Sequence, residues 1–301
     1  MGTRSRIRLS GLLALLLGVV PLLSSPAAQA KDRLYWLLRD LPPFTIFEGE
    51  KKGQGVIDSL LPVLIEGMPE YVYSIARVNR ARGIQMLQEP SFTCDPTLLW
   101  TAERDRYVHF SEPFLGVMSA GLVVRKQDQA LLRPFLQAQQ VDLKRLLAQA
   151  RVKLGIVAER SYSAQVDELL RDLPDTALSR HYGNDAVASL LQMQRLGRLQ
   201  LVLGYWHEVR YLLQQQGESM DDYAFYAING VARYQFLHVG CSDTAQGREA
   251  ISRVNRVLLT LRGEHLPAVY AQWLDPQVRE AYLQDARRFF ATPQGAPASQ
   301  P

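Results

Sequence analysis

The amino-acid sequence predicts an α/β protein with two lobes of similar design. Short apolar stretches of strand character alternate with helical segments, which is typical of βαβ units on a mainly parallel sheet. The pattern begins again near residue 143, and the chain ends in an amphipathic helical section. Two repeats of one scheme indicate two lobes, and ligand sites in such sheets lie beyond the carboxyl ends of the strands.

The first half of the pattern contains four strand-like stretches and three helical ones, the third of them short. The first strand stops at the Asp-Leu-Pro-Pro sequence of residues 40–43, because proline cannot continue the ladder. Thr101 is the predicted N-cap of a short helix that follows the third strand. We predict strands at 34–38, 72–76, 92–100 and 121–125, and helices at 56–65 and 82–88.

The second half repeats the scheme from residue 143 onwards. Apolar residues at three- and four-residue spacing after Ser163 predict an amphipathic helix, and Gly217 and Gly263 end two later helices. We predict helices at 143–149, after Asp185, at 206–216 and at 251–261, and strands at 152–157, 199–203 and 234–239.

The first thirty residues have the pattern of a cleavable signal peptide. Three arginines precede an apolar run at 9–23, and Ala28-Gln29-Ala30 supplies the small residues that a signal peptidase requires. The alternative is an uncleaved anchor helix, for which about 20 unbroken apolar residues would be expected. Because glycine and proline interrupt this run, we expect a cleaved signal peptide at 1–30 and a soluble periplasmic protein that starts at Lys31.

Removal of the leader changes the charge balance. The chain has 34 Lys and Arg against 30 Asp and Glu, a net charge of +4. Three of the arginines lie in the leader, so the mature chain has 31 basic and 30 acidic residues, a net charge of +1. A nucleic-acid-binding protein would show a basic face or stripe, so we exclude nucleic-acid partners. The Pro- and Ala-rich tail at 291–301 is expected to be disordered.

The sequence contains no convincing catalytic or metal-binding motif. The five histidines are scattered and form no H-x-x-x-H pair. Residues 116–121 miss a G-x-S-x-G motif by one position, and Gly53-Gln-Gly55 lacks the third glycine of a dinucleotide loop. We therefore expect a binding protein rather than an enzyme, with no cofactor and no metal.

Four segments, in order, resemble family 3 extracellular solute-binding proteins, the periplasmic amino-acid-binding group. The most specific is Thr101-Ala-Glu-Arg104 followed by Phe110-Ser-Glu-Pro-Phe114. The others are Pro42-Pro-Phe44 with Gly55-Val-Ile-Asp58, Leu143–Val157, and Val254-Asn-Arg-Val-Leu258 through Tyr270-Ala-Gln-Trp-Leu274. The resemblance covers nearly the whole mature chain.

The resemblance implies the type II periplasmic-binding-protein fold. Lobe 1 would comprise residues 31–123 and 232–290, lobe 2 residues 127–229, and two crossover strands would form the hinge. Closure of the lobes around the ligand is the expected motion. The protein is expected to act as a monomer.

The two cysteines, Cys94 and Cys241, allow two interpretations. In an oxidising compartment an even pair is a disulfide candidate, and two free buried thiols are the alternative. The family's fold places both segments in lobe 1, so we expect one disulfide within that lobe.

The resemblance assigns ligand-binding roles to several lobe 1 residues. Arg104 stands where amino-acid-binding members pair an arginine with the ligand carboxylate, and a guanidinium offers two parallel charge-assisted hydrogen bonds. Thr101 caps the same helix, whose N-terminus favours an anion. Trp100 and Phe44 are expected either as cleft walls or as core residues.

Charged residues near the cleft complete the lobe 1 candidates. Of Arg80 and Arg82, one is expected to face the cleft and the other water. Asp40 and Glu103 are the nearby acids, and neither belongs to a convincing catalytic pair.

Lobe 2 departs from the family's pattern. Ser161 and Ser163 stand where members bind the carboxylate, with simple N-capping as the alternative. Tyr205 occupies the position of the ammonium-pairing aspartate. Trp206 follows it, either as aromatic surface for the ligand or, as the stronger interpretation, as a core residue. We expect Tyr205 to stack on a ligand or make a cation–π contact, and ordinary amino acids to bind weakly unless Asp40 or Asp185 compensates.

Three functions are consistent with these residues. The first is capture of a small, anionic or carboxylate-bearing solute for an ABC-type importer. The second is a ligand-binding partner for the periplasmic domain of a membrane sensor. The third is a dehydratase-like enzyme on the same fold, which would need a cleft acid or base with a perturbed pKa.

Overall fold

A computed structural model of the chain describes residue 2, residues 31–149 and residues 152–290. The signal-peptide cleavage site and the tail at 291–301 lie outside the described residues. The described chain forms two mixed α/β sheets in two lobes, which confirms the predicted fold class.

The first stretch of the chain builds most of lobe 1. Its elements are β1 (Arg33–Leu38), α1 (Val56–Glu66), β2 (Val72–Arg77), α2 (Arg80–Gln88), β3 (Thr93–Leu99), a 3₁₀ helix (Arg104–Arg106), β4 (Val108–Phe110) and β5 (Leu115–Met118). β1 pairs in parallel with both β2 and β3. The carboxyl ends of β1 and β3 therefore point to the same edge of the sheet, where Arg39 and Trp100 follow.

The chain then crosses into lobe 2, a five-stranded sheet with the order β10-β9-β11-β6-β12. β9 is parallel to β10 and β11, and β6 is antiparallel to β11 and β12. The elements are β6 (Gly121–Arg125), 3₁₀ helices (Lys126–Leu131, Arg133–Phe135), β7 (Leu136–Gln137), β8 (Gln140–Val141), α3 (Leu143–Gln149), β9 (Leu154–Val157), α4 (Ala164–Arg171), β10 (Leu178–His181), α5 (Ala186–Arg195), β11 (Leu201–Gly204), α6 (Trp206–Gln215), a 3₁₀ helix (Met220–Asp222) and β12 (Tyr223–Ala227).

The chain finally returns to lobe 1. Strand β13 (Tyr234–Ser242) is antiparallel to β3, β4 and β5 and completes a six-stranded sheet. Helices α7 (Ala245–Leu261), α8 (His265–Ala271) and α9 (Pro276–Phe289) follow. The sheet is mixed rather than mainly parallel because β13 enters lobe 1 from the hinge, in the opposite direction.

The hinge corrects one predicted boundary. Ser119 donates its backbone N–H to the carbonyl of Arg233 at 3.0 Å, so the outgoing and returning crossovers run side by side. Residues 121–123, which the sequence assigned to lobe 1, belong to β6 and pair with β11 and β12 of lobe 2. An apolar strand shows no local sign of the sheet it will join, which is why the boundary was misplaced.

Each lobe has its own core. In lobe 1, Trp36, Phe114, Tyr270 and Tyr282 are fully buried between the sheet and helices α1 and α7–α9. In lobe 2, apolar clusters cover both faces of the sheet, as expected for βαβ units. Within the described part of the chain, no helix is long and apolar enough to span a bilayer.

Lobe 1 also contains the disulfide. Cys94 of β3 and Cys241 of β13 are register partners on adjacent strands, with Cα atoms 4.0 Å apart, and their side chains are bonded. Both cysteines are fully buried. The predicted pairing is therefore present, and it joins the two chain segments that make up this lobe.

Candidate ligand-binding cleft

Two adjoining cavities lie between the lobes. The larger has a volume of about 110 Å³ and the smaller about 40 Å³. Leu41, Arg80, Arg160 and Glu208 line both. The smaller cavity is also lined by Phe44 and Arg104 from lobe 1 and by Ser161, Tyr205 and His207 from lobe 2.

Arg39 forms a buried ion pair at the end of β1. Its Nη1 donates to Asp95 Oδ2 at 2.7 Å, and Nη2 contacts the same oxygen. The other carboxylate oxygen accepts the N–H of Thr97 at 2.8 Å and its hydroxyl at 2.9 Å. Both side chains are at most 6% exposed, so Asp95 fully compensates the Arg39 charge.

Lobe 2 contains a second buried pair. Arg160 donates from Nη1 to Glu208 Oε2 at 2.8 Å and from Nη2 to Oε1 at 3.1 Å, a two-pronged geometry. Arg160 lies in the loop after β9 and Glu208 in the first turn of α6, both beyond carboxyl ends of strands. The Arg160 guanidinium also lies 5.3 Å from the centroid of the Tyr205 ring.

Arg80 lines both cavities without a counter-ion. It opens helix α2, and its Nε is buried and has no hydrogen-bond partner among the described residues. Burial lowers its pKa well below the ordinary value, and the charges of Arg39, Arg160 and Arg104 lower it further. Arg82, two residues on, is exposed and pairs with Glu89 at 3.6 Å. Arg80 therefore faces the cleft and Arg82 faces water.

Arg104 links the two lobes. Its Nη1 donates to the carbonyl of Leu99 in lobe 1, and its Nη2 to the carbonyl of Glu159 in lobe 2, each at 3.1 Å. The side chain is 8% exposed and lines the smaller cavity. No carboxylate in the described residues pairs with it. The sequence expectation that Arg104 faces the cleft agrees with this geometry, while its role as an anion clamp stays a prediction.

Aromatic side chains close one wall of the smaller cavity. Phe44 stacks on Tyr270 at 5.8 Å between ring centroids and meets His207 edge-on at 5.5 Å. The Tyr270 hydroxyl lies 2.8 Å from His207 Nδ1, a hydrogen bond between lobe 1 and lobe 2. Burial lowers the pKa of His207 to about 3, and the nearby Arg160 adds to the shift. The ring is therefore neutral near pH 7, and its tautomer decides whether Nδ1 accepts from or donates to the Tyr270 hydroxyl.

The Phe44 loop is held against α1. The N–H of Ile57 donates to the Phe44 carbonyl at 2.8 Å, and Asp58 accepts from the N–H groups of Ile46 and Gly55. A Cβ on Gly55 would lie 2.2 Å from the Phe44 carbonyl oxygen, so only glycine permits this approach.

The predicted ligand-binding residues of lobe 2 are already hydrogen-bonded to other residues of the protein. Ser163 caps α4 by accepting the N–H of Val166 at 3.2 Å. Ser161 lines the smaller cavity, but its hydroxyl donates to Asp167. Tyr205 also lines it, and its hydroxyl donates to Gln235 Oε1 at 3.0 Å. These contacts give each side chain a structural partner, and direct ligand contacts for them remain predictions.

Several further candidates lie away from the smaller cavity. Trp100 is 48% exposed and donates Nε1–H to Asp105 at 3.1 Å, so it fits neither the cleft-wall nor the core expectation. The Thr101 hydroxyl accepts the N–H of Arg104 at 3.2 Å, which is the hydrogen bond expected of an N-cap residue. Asp40 and Asp185 line the larger cavity.

The remaining two side chains are outside both cavities. Trp206 packs on Phe225 in the lobe 2 core, in line with the core interpretation. Glu103 is exposed.

Sequence reasoning missed Arg39, Asp95, Arg160, Glu208 and His207. Four of the five follow a buried strand or open the next helix, and Asp95 lies inside β3. Their position just beyond the carboxyl end of a strand was therefore the sequence signal that could have identified them as cleft residues. Nothing in the sequence indicated which arginine would find an acid, because the pairs join residues 48 and 56 positions apart.

Comparison with known proteins supports the fold. No protein-family model matches the sequence, and no curated protein sequence matches it. Among solved structures, a mutant of ArgBP from T. maritima aligns with a TM-score of 0.60 at 16% identity, covering 81% of this chain and 95% of that one. AbpA from Streptococcus pneumoniae, bound to L-arginine, gives 0.58 at 17% identity, covering 86% and 95%.

A sensor domain is equally similar. A histidine kinase sensor domain with similarity to periplasmic binding proteins gives a TM-score of 0.62 at 15% identity, covering 81% of this chain and 96% of that one. AbpA is a substrate-binding protein of an amino-acid ABC transporter, and the kinase domain is a sensor. Together with the two-lobed sheets and the paired crossovers, these matches show that the chain has the type II periplasmic-binding-protein fold of the amino-acid ABC transporter binding proteins.

Proposed function

We propose that this protein captures a small anionic solute between its lobes and delivers it to an ABC-type importer. The observation that carries the proposal is the pair of uncompensated arginines, Arg80 and Arg104, in the smaller cavity. Buried charges in proteins are ordinarily paired. Two guanidiniums facing one enclosed space, without an acid of their own, form a site for an anion supplied from outside.

Arg104 couples this anion to closure of the lobes. Its two hydrogen bonds anchor the guanidinium to a carbonyl from each lobe, and its remaining N–H groups are free for a ligand. An anion bound there strengthens a contact that exists only when the lobes meet. Ligand binding therefore favours the closed form, which is the form that a partner in the membrane would recognise.

Ordinary amino acids fit this site poorly. Tyr205 stands where the ammonium-pairing acid is expected, and a phenol carries no charge near pH 7 because burial raises its pKa. Glu208, a buried acid at the same wall, is already held by both prongs of Arg160. Among the acids at the cleft, Asp40 is half-buried and accepts the N–H of Phe47, and it lies at the larger cavity.

A membrane sensor is the second candidate partner. It is favoured by the similarity to a histidine kinase sensor domain and by the altered ammonium site. The buried disulfide supports the proposed periplasmic location, because disulfides persist in oxidising compartments.

A thermal-shift screen of carboxylates, amino acids, sugars and phosphates tests the proposal. A ligand at 100 times its Kd adds about 2.7 kcal/mol to the free energy of unfolding. We expect anions to stabilise the protein, Arg104→Ala to abolish the shift, and Arg106→Ala to retain it. Arg106 is the matched control because it lies in the same 3₁₀ helix but is exposed.

Two results would contradict the proposal. The first is a normal anion response in Arg104→Ala. The second is micromolar calorimetric binding of an ordinary L-amino acid, which would return the protein to the amino-acid-binding class.

A further inference from the structure

The four arginines at the cleft divide into two kinds. Arg39 and Arg160 are each compensated by a buried carboxylate. Arg80 and Arg104 have no acidic partner among the described residues, and both line the smaller cavity. This cavity therefore carries two uncompensated positive charges.

The surroundings of Arg80 point to an external anion. Its buried Nε has no acceptor in the part of the chain that the structure describes. The charges that act on it most strongly are Arg39, Arg160 and Arg104, and the compensating Asp95 already holds Arg39. Arg80 is half-buried, and holding a partly desolvated cation beside three others is costly unless an anion joins them.

The size of the smaller cavity limits that anion. About 40 Å³ of free space is room for roughly three water molecules, since each needs about 10–15 Å³. Phe44, Val117 and Leu237 supply apolar walls on the lobe 1 side. A compact group with two negative charges fits this space, whereas a long side chain does not.

We propose that the smaller cavity binds one compact dianion, with Arg104 holding one negative group and Arg80 the other. Its chemical class is a short dicarboxylate or a tetrahedral oxyanion such as phosphate. The inference rests on the proposed function, and it adds the charge and size of the ligand and names Arg80 as a residue that determines specificity. Without a dianion, closure removes water from Arg80 and Arg104 with no anion in its place, which opposes closure of the lobes.

Calorimetry at pH 8 with matched pairs of probes tests the charge requirement. Succinate is compared with its monoamide succinamate, and sulfate with perchlorate, a tetrahedral oxyanion of nearly the same size, so each pair differs in charge more than in shape. We expect at least one dianion to bind tenfold or more tightly than its monoanionic partner. One charge-assisted hydrogen bond is worth about that factor or more. The pair that discriminates identifies the ligand as dicarboxylate or oxyanion.

Two variants of helix α2 test the role of Arg80. Arg80→Ala should lose the preference for the dianion while still binding the monoanion, and Arg82→Ala should keep the preference, since Arg82 faces water. Arg80→Lys keeps the positive charge but loses the two-pronged guanidinium geometry, so it should retain part of the preference for the dianion. A cooperative thermal transition for each variant shows that it is folded.

Several outcomes overturn the inference. They are equal affinity for dianions and monoanions, no binding of any dianion, or an unchanged preference in Arg80→Ala. Arg104-dependent binding of monoanions alone would leave the proposed function standing and remove only the dianion. Binding of neutral or zwitterionic ligands alone would remove both.

Discussion

Lobe 1 and lobe 2 contribute to the cleft in different ways. Lobe 1 supplies the two arginines that lack an acid, Arg80 and Arg104. Lobe 2 supplies groups that are already engaged: Arg160 with Glu208, Ser161 with Asp167, and Tyr205 with Gln235. Under the proposed function, lobe 1 holds the ligand's charge and lobe 2 closes over it with side chains that are already hydrogen-bonded.

The lobes also differ in how they are stabilised. Lobe 1 is assembled from two separate chain segments, which strand β13 and the disulfide hold together. Lobe 2 is one continuous segment without a cysteine. We expect the buried pair Arg39–Asp95 to be the more sensitive of the two pairs, because Asp95 also accepts two hydrogen bonds from Thr97.

The largest expected effect comes from Asp95→Ala. The change leaves Arg39 buried without its acid and removes the acceptor for two Thr97 donors. Breaking a buried pair by removing one partner costs about 3–5 kcal/mol. Urea denaturation should show a loss of this size. Asp243→Ala, which breaks an exposed pair with Arg248, is the control and should cost at most about 1 kcal/mol.

The corresponding change in lobe 2 sharpens the comparison. Glu208 lines both cavities, whereas Asp95 lines neither. In Glu208→Ala only Arg160 loses its acceptor, and Arg160 lines both cavities whereas Arg39 lines only the larger one. We therefore expect a smaller loss of stability than in Asp95→Ala. A larger loss would show that lobe 2, and not lobe 1, depends more on its ion pair.

The sequence predicted the architecture better than the sheet connections. Alternation of strands and helices, together with the ordered segments that resemble solute-binding proteins, led to two lobes and a double crossover. Local patterns do not encode which sheet a strand joins or in which direction. Residues 121–123 were therefore wrongly assigned to lobe 1, because they belong to β6. The sheet was wrongly expected to be mainly parallel, because β13 is antiparallel to its neighbours.

A smaller effect is expected from pH, through His207 at the contact between the lobes. The unfolded ring has a pKa near 6.5 and the buried ring a pKa of about 3. Below pH 6.5 the unfolded state therefore binds a proton that the folded state excludes. The free energy of unfolding decreases as the pH is lowered. Between pH 7 and pH 5 the loss from this group is about 2 kcal/mol.

His207→Asn tests this assignment. The Asn amide oxygen can still accept from Tyr270, but it does not titrate in this range. We expect the free energy of unfolding of this variant to vary less between pH 7 and pH 5. Part of the slope should remain because burial also lowers the pKa of His238 in lobe 1. An unchanged slope would exclude His207 as the main acid-sensitive group.

The candidate site was predictable where a residue belongs to a specific motif. Arg104 and Thr101 lie in the most specific segment. Arg104 lines the smaller cavity and Thr101 accepts its N–H, while their roles toward a ligand stay predictions. Arg39 and Glu208 belong to no such motif, and their importance depends on partners far away in sequence. Trp100 was misjudged because a hydrogen bond to Asp105 holds a large apolar side chain at the surface.

The smallest expected effect separates two neighbouring serines of lobe 2. Ser163 accepts from the N–H of Val166 and does not line the smaller cavity, whereas Ser161 does line it. Loss of an N-cap costs about 1 kcal/mol, so Ser163→Ala should lower stability by that amount and leave the anion-induced thermal shift unchanged. Ser161→Ala removes a donor to Asp167 at the cleft wall and should change the shift itself. If Ser163→Ala weakened anion binding instead, lobe 2 would contribute directly to holding the ligand, and the division of roles between the lobes would be wrong.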